Sequence, residues 1–465
     1  MNTKLRNQLT RRRFIRNTAA GSAACTWLSA AWLMLVGGLS FGWSAELPVG
    51  PGRQYSRIEH ALTAARPGDT ILVHPQPNNQ PYDQVALNVT RPRITLRSAA
   101  PRGTFVPLSG RGFDYSGRDS TPRAIVQFNK GADDCVIEGF ELFGAHNDSH
   151  NGAGIRVNQA NRVIVRRCVI RNNDMGIMSN GDGTPQSGVD QLIERCLIHS
   201  NGDLSEPGQN HNLYLGGTSV TLLGCEIHSS LAGQNVKSRA HRTAVLACYV
   251  HDSANREFDL VDAKGDTTVP GSDAVLAGNI IVKAKNCANR GVIHFGQDGG
   301  NEHDGAIHLI HNTIVTPFIG AVVDLSADKA GARLFNNILW DGGAVQRGQV
   351  LVSGKNRAEA GRVAGFCNWL AAGFASQELE SLGLSGTVVA TGNPALPFVN
   401  PTQGDYRLAT RAKGIVDSGR VLPREIETAL GRRLVEYQAG PGWRQRPDDG
   451  KPDLGAHELV APAER

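Results

Sequence analysis

The sequence predicts an all-β solenoid, and three observations carry that expectation. First, between about residues 120 and 345 short apolar strands recur in groups of three. Each third strand opens on one column of residues: Cys168, Cys196, Cys225, Cys248, Asn279, Asn312 and Asn337, at intervals of 23 to 33 residues. Strands too short to bury an apolar face alone, repeated at such a period, are stable only when neighbours stack. Second, 54 glycines spread through 465 residues supply turns, while aromatic residues are sparse. Third, no long Leu/Ala-rich helical stretch interrupts the pattern.

Within each coil the second strand, for example Val163 to Val165 or Val220 to Leu222, ends two or three residues before the column. First strands fall around Ile155, Ile177, Leu213, Val236, Leu260, Ile293 and Val323. This arrangement resembles the right-handed, single-stranded parallel β-helix. In that fold coils stack about 4.8 Å apart, so the Cys/Asn column becomes an internal ladder at one tight turn. Stacked Asn amides satisfy buried backbone groups, and free Cys fills small buried space.

Upstream, Tyr55 to Ala65 reads as a short amphipathic helix followed by the strand Thr70-Ile-Leu-Val. That order is similar to the N-terminal cap of secreted β-helix carbohydrate enzymes of the pectate lyase superfamily, notably alginate lyases and chondroitinase B. A cap closes an open end that would expose core and strand edges. From about residue 360 the coil pattern fades, and Gly404-Asp-Tyr-Arg-Leu and Asp453-Leu-Gly-Ala-His-Glu resemble terminal elements of such proteins. The expected organisation is a leader over 1–45, the β-helix over 46–360 and an irregular C-terminal segment over 361–465 that lies back on the solenoid.

The formal charge of +5 comes from the leader. Lys4, Arg6, Arg11, Arg12, Arg13 and Arg16 stand there with no acid, which leaves the remainder near −1 and removes the argument for a nucleic-acid partner. Thr10-Arg11-Arg12-Arg13-Phe14-Ile15-Arg16 before a mildly apolar stretch resembles a twin-arginine export signal, with small residues allowing cleavage after Gly42 or Ser44. The resemblance implies folding in the cytosol before reaching the periplasm or beyond, with no disulfide framework; a monomer with no stable membrane insertion once the signal is cleaved is expected. An uncleaved anchor stays open.

Insertions at Gly181–Gly188, Gly202–Asn210, Lys264–Ser272, Lys283–Arg290 and Gly296–Gly305 flank the first strands. Repeat proteins collect loops on the face that binds, so these predict walls around a groove over the first sheet. Alternation sends Arg156, Met178, Tyr214, Lys237, Asp259, His294 and Asp324 outward into it. Asn212, Asn235, Arg239 and Glu257 are expected beside that column, with His211, Arg242, Arg256 and Asp262 near strand ends. His199, His228 and His251 form another outward column on the third sheet. A flat surface without insertions offers no enclosing ligand there, so no metal is expected on it.

The family resemblance implies β-elimination on an acidic, uronic-acid-containing polysaccharide. Lys237 is the candidate base, its pKa lowered by Arg239 and Arg242. Arg239 or Arg242 would neutralise the substrate carboxylate, and Asn212, Asn235, Arg156 and Arg256 would bind the chain. Ca²⁺ on Glu257, Asp259 and Asp262 is implied as well, although these carboxylates come one coil after Lys237 and the family's precede its lysine. A metal-free elimination would use Tyr214 with His211 or His294. Hydrolysis by a carboxylate pair, C5-epimerisation, and a non-catalytic carbohydrate-binding or surface-structural β-helix share the groove and stay open. The Asp-pair and Gly-His-Gly motifs of β-helix polygalacturonases are absent from the sequence.

Overall fold

The computed structural model describes residues 44–263, 269–300, 302–344, 347–374, 379, 381–391, 398–409 and 412–459. The arginine-rich leader therefore lies outside the described residues, as does the loop 264–268. Among the described residues no helix is long and apolar enough to cross a membrane.

The chain forms a parallel β-helix. Among the described residues its three sheets hold 10, 13 and 11 strands, and from Leu87–Val89 to Val350–Ser353 the coils contribute one strand to each in turn. The helix Ile58–Ala64 covers the first coil, burying Ile58 and Ala61 against strands Glu46–Val49 and Thr70–Val73. Alternation holds along the coils: Leu213 and Leu215 are buried while Tyr214 between them faces out. The inward Ile, Val, Leu and Phe residues merge into one continuous core.

Two ladders close the coils. At the turn from second to third sheet, the backbone N–H of Cys248 donates to Asn279 Oδ1 at 2.9 Å. Asn279, Asn312, Asn337 and Asn368 then pass amide hydrogen bonds of 2.9–3.0 Å along the column. The residue before each rung adopts the left-handed region even where it carries a Cβ, as at Arg167, Arg195 and Ala247. That conformation costs roughly 1–2 kcal/mol for a non-glycine residue, and the ladder bonds offset it.

The second ladder corrects two sequence expectations. Asn212 and Asn235 belong to a buried column at the turn from third to first sheet, running Asn173, Asn201, Asn212, Asn235 and ending on Glu257. Both amides are fully consumed, Asn212 also donating to His228 O and Asn235 to His251 O at 2.7 Å. They are structural, with no face to the groove. Glu257 is buried among Asn235 Nδ2 at 2.6 Å, the Ser253 N–H at 3.1 Å and Lys283 Nζ at 3.6 Å. Burial pushes its carboxyl up to about 6.

Coil pairing also extends further than the sequence pattern suggests. Strands Val363–Phe366 and Leu384–Ser385 continue the second sheet, and Trp369–Leu370 and Val388–Val389 continue the third. Beyond them the chain turns back along the solenoid. The hairpin Val435–Gln438/Gly442–Gln445 reaches coils about 200 residues upstream: Tyr437 Oη donates to Glu226 Oε2 at 2.6 Å, and Trp443 Nε1 to Glu194 Oε1 at 2.9 Å. Gly224 makes room for it. A Cβ there would stand 2.6 Å from the Trp443 ring, and its φ of +60° already favours glycine.

Candidate functional site

Register in the first sheet places the outward residues in one file. Arg156, Met178, Tyr214, Lys237, Asp259, His294 and Asp324 are successive Cα partners. The middle of this file is an ion-paired network. Lys237 Nζ donates to Asp259 Oδ2 at 2.9 Å and to Asp298 Oδ2 at 2.7 Å. Arg239 holds the other side, with Nε on Tyr214 Oη at 3.1 Å and further bonds to the Asp298 carboxylate and the Asp262 carbonyl.

Asp298 is the residue that sequence reasoning missed. It sits in the insertion Gly296–Gly305, recognised only as a wall, and reaches Lys237 across 61 residues of chain. Asp262 explains how it is held: buried, its Oδ1 accepts the backbone N–H groups of Asp298 at 2.5 Å and Gly299 at 2.9 Å. Its carboxylate thus shapes the loop.

This arrangement does not fit the calcium set. Calcium needs six to eight converging oxygens. Glu257 is turned into the ladder, Asp262 is spent on backbone donors and Asp259 is surrounded by cations. Arg242 is also displaced from the expected groove: it begins the second-sheet strand Arg242–Leu246, round the next turn.

Electrostatics redistribute the expected roles. Burial alone would lower the Lys237 ammonium, but Asp259 and Asp298 outweigh it and raise its pKa above the ordinary lysine value. The expected depression by Arg239 and Arg242 is therefore reversed, because the nearest charges are carboxylates. Asp259 is buried, yet His294 and Lys237 hold it well below the usual carboxylate range. His294 is engaged at both ring nitrogens, Nδ1 on Asp259 Oδ1 and Nε2 on Ser326 Oγ, each at 2.7 Å. It positions Asp259 and has no nitrogen left for a substrate. Arg256 adds a contact of 3.3 Å to the same Asp259 oxygen.

His211 lies under Tyr214, ring centroids 5.5 Å apart. Its Nδ1 accepts the Gln234 N–H at 3.1 Å, which assigns the ring proton to Nε2. Burial and then the Lys237 charge press its pKa down to about 3, so the imidazole is neutral at physiological pH.

Clefts open on both sides of this network. One of about 380 Å³ is lined by Arg156, Met178, Tyr214, Arg239 and the insertion residues Gly181 and Gly183. The other, about 360 Å³, lies toward the later coils between Arg256, Asn289, Asp324 and Ser353. Together they make a groove along the first sheet with the charged network near its middle.

No protein-family model matches the chain, and no curated protein does. Among solved structures it is similar to an alginate lyase from a Paenibacillus species, at 18% identity over 67% of this chain and 98% of that one, TM-score 0.48. A pectate lyase aligns at 12% identity over 90% and 97%, TM-score 0.48. A tailspike protein of Acinetobacter baumannii bacteriophage Fri1, a capsular polysaccharide depolymerase, aligns at 10% identity over 76% and 62%, TM-score 0.44. At these identities and scores none of them carries a functional argument, so the reading below rests on the groove.

Proposed function

We propose that this chain is an exported enzyme that cleaves an acidic, uronic-acid-containing polysaccharide by β-elimination, with Tyr214 handling the protons. The observation that carries this reading is the charge state of the network. The two carboxylates of the network itself, Asp259 and Asp298, are held ionised by cations. Glycoside hydrolysis by this pair would need one of them protonated to release the leaving sugar, and neither is. Lys237, held as an ammonium, is unsuited to act as a base and well suited to hold a substrate carboxylate.

Tyr214 is the proton-handling group next to Lys237 on the column, and Arg239 donates to its oxygen. In the phenolate form it takes the C5 proton of a bound uronate. The electron pair passes through the carboxylate-stabilised carbanion into the new C4–C5 double bond, the C4–O bond breaks, and the leaving oxygen takes the proton back from the phenol. Lys237 and Arg239 meet the charge that gathers on the substrate carboxylate. The leader's likeness to a twin-arginine signal supports work outside the cytosol.

Incubation of the purified chain with a panel of uronate polymers tests this. Elimination creates an unsaturated uronate whose ultraviolet absorbance grows with time. Folded protein that produces none on any polymer overturns the reading. Deuterium entering C5 from heavy water without chain cleavage would instead assign epimerisation to the same groove.

A further inference from the structure

The outer face of the third sheet carries a second, independent cluster. The rings of His199, His228 and His251 stack in file, with centroids 4.9 and 4.7 Å apart. Their Nδ1 atoms are all engaged by the residue that follows: Ser200 Oγ at 3.0 Å, Ser229 Oγ at 2.9 Å and Asp252 Oδ2 at 2.8 Å. Where such a partner accepts the Nδ1 proton, the lone pair of the neutral imidazole is turned to Nε2, as metal-binding histidines require; His251, whose pKa is raised against its burial to about 9 by Asp252 and Glu226, gives up its second proton to the solvent when an ion binds. Glu226 stands on the strand of His228, its Oε2 held by Tyr437 of the C-terminal hairpin at 2.6 Å and its Oε1 3.8 Å from His251 Nε2. That Nε2 is buried and has no hydrogen-bond partner.

We propose that Glu226, His228 and His251 form a binding site for a zinc-class divalent ion. One ligand atom from each lies within 4.8 Å of the others, and among the described residues no other set of three His, Cys, Asp or Glu side chains does so. Two imidazoles and a carboxylate are a ligand set that zinc accepts, with water in the fourth position. The two rings are nearly parallel, 11° apart, so binding requires them to tilt until both lone pairs meet at the ion. The flat, unenclosed surface expected from sequence is changed by the C-terminal hairpin, whose Tyr437 fixes Glu226 and roofs the cluster beside Tyr249, 5.8 Å from it between centroids. The ion would tie the solenoid, through Glu226 and Tyr437, to the segment that wraps it. This site is separate from the groove and does not depend on its chemistry.

The test uses the tag-free chain stripped with a chelator and titrated with Co(II), then with Zn(II) in competition. One equivalent of Co(II) should give the strong visible bands of a four-coordinate N/O site and raise the unfolding temperature. His228→Ala and the near-isosteric Glu226→Gln should each weaken binding about 100-fold or more with circular dichroism unchanged, whereas His199→Ala should leave it intact. Absence of stoichiometric binding to the folded wild type overturns the site. So does binding that survives in His228→Ala, or that is lost in His199→Ala.

Discussion

Lys237 shows how little a residue's type says about its task. Next to Arg239 in sequence it reads as a depressed, basic lysine; in space its neighbours are Asp259 and Asp298, and it is a firmly charged ammonium. On the proposed chemistry Tyr214→Phe removes the proton-handling oxygen and should lower kcat by about 10²–10⁴-fold without unfolding the protein, measured by product absorbance and circular dichroism. Lys237→Ala should raise KM and lower kcat, because it deletes the cation that binds the carboxylate and meets the charge gathering on it. Asp298 sits on Lys237 and Arg239 where a substrate carboxylate would dock, and its side chain is 39% exposed. Substrate has to displace it, so Asp298→Ala should lower KM severalfold with kcat retained. A collapse of kcat would instead make Asp298 part of the chemistry.

At the scale of elements, the ladder that ends on Glu257 and Lys283 fixes the coils that carry Tyr214, Lys237 and Asp259. Asn235→Ala strips the partners of Asn212, Glu257 and the His251 carbonyl, and should cost about 1–3 kcal/mol in denaturant unfolding. Lys283→Met removes the cation of the buried Glu257 and forces its carboxyl to protonate or to stay charged unpaired, at a cost of up to about 3–5 kcal/mol. Adding Glu257→Gln should recover part of that loss. The strands were legible in the sequence because alternation is local: the outward file Arg156 to Asp324 follows from parity alone. Asn212 and Asn235 were misassigned because they stand just before their strands, where parity no longer says which way a side chain points.

For the molecule as a whole, buried histidines set the acid limit of stability. His211, at about 3, and His303, at about 4, are both depressed chiefly by burial and fold in the neutral form. The unfolded chain binds these protons near pH 6.5, so stability falls as pH drops below 6.5, by on the order of 2 kcal/mol per histidine at pH 5. Asp259 acts at lower pH. Its depressed carboxyl contributes stability above the unfolded value near 4, which is lost as pH falls toward its folded one. Unfolding temperatures from pH 7.5 to 4 should show the decline, and His211→Gln should reduce the part between 6.5 and 5.

The solenoid, its ladder of Cys and Asn, the outward column and the side on which loops gather could all be read from the residues in order, because they depend on period-two alternation and on repeat length. Charge states and long-range partners emerge when the coils and loops pack. Asp298 meets Lys237 by way of a loop shaped by Asp262, and Tyr437 returns some 200 residues to seat Glu226 beside two histidines. The physical reason is that a pKa or a ligand set depends on distances of a few ångströms between groups far apart in the chain, which neither spacing nor composition records.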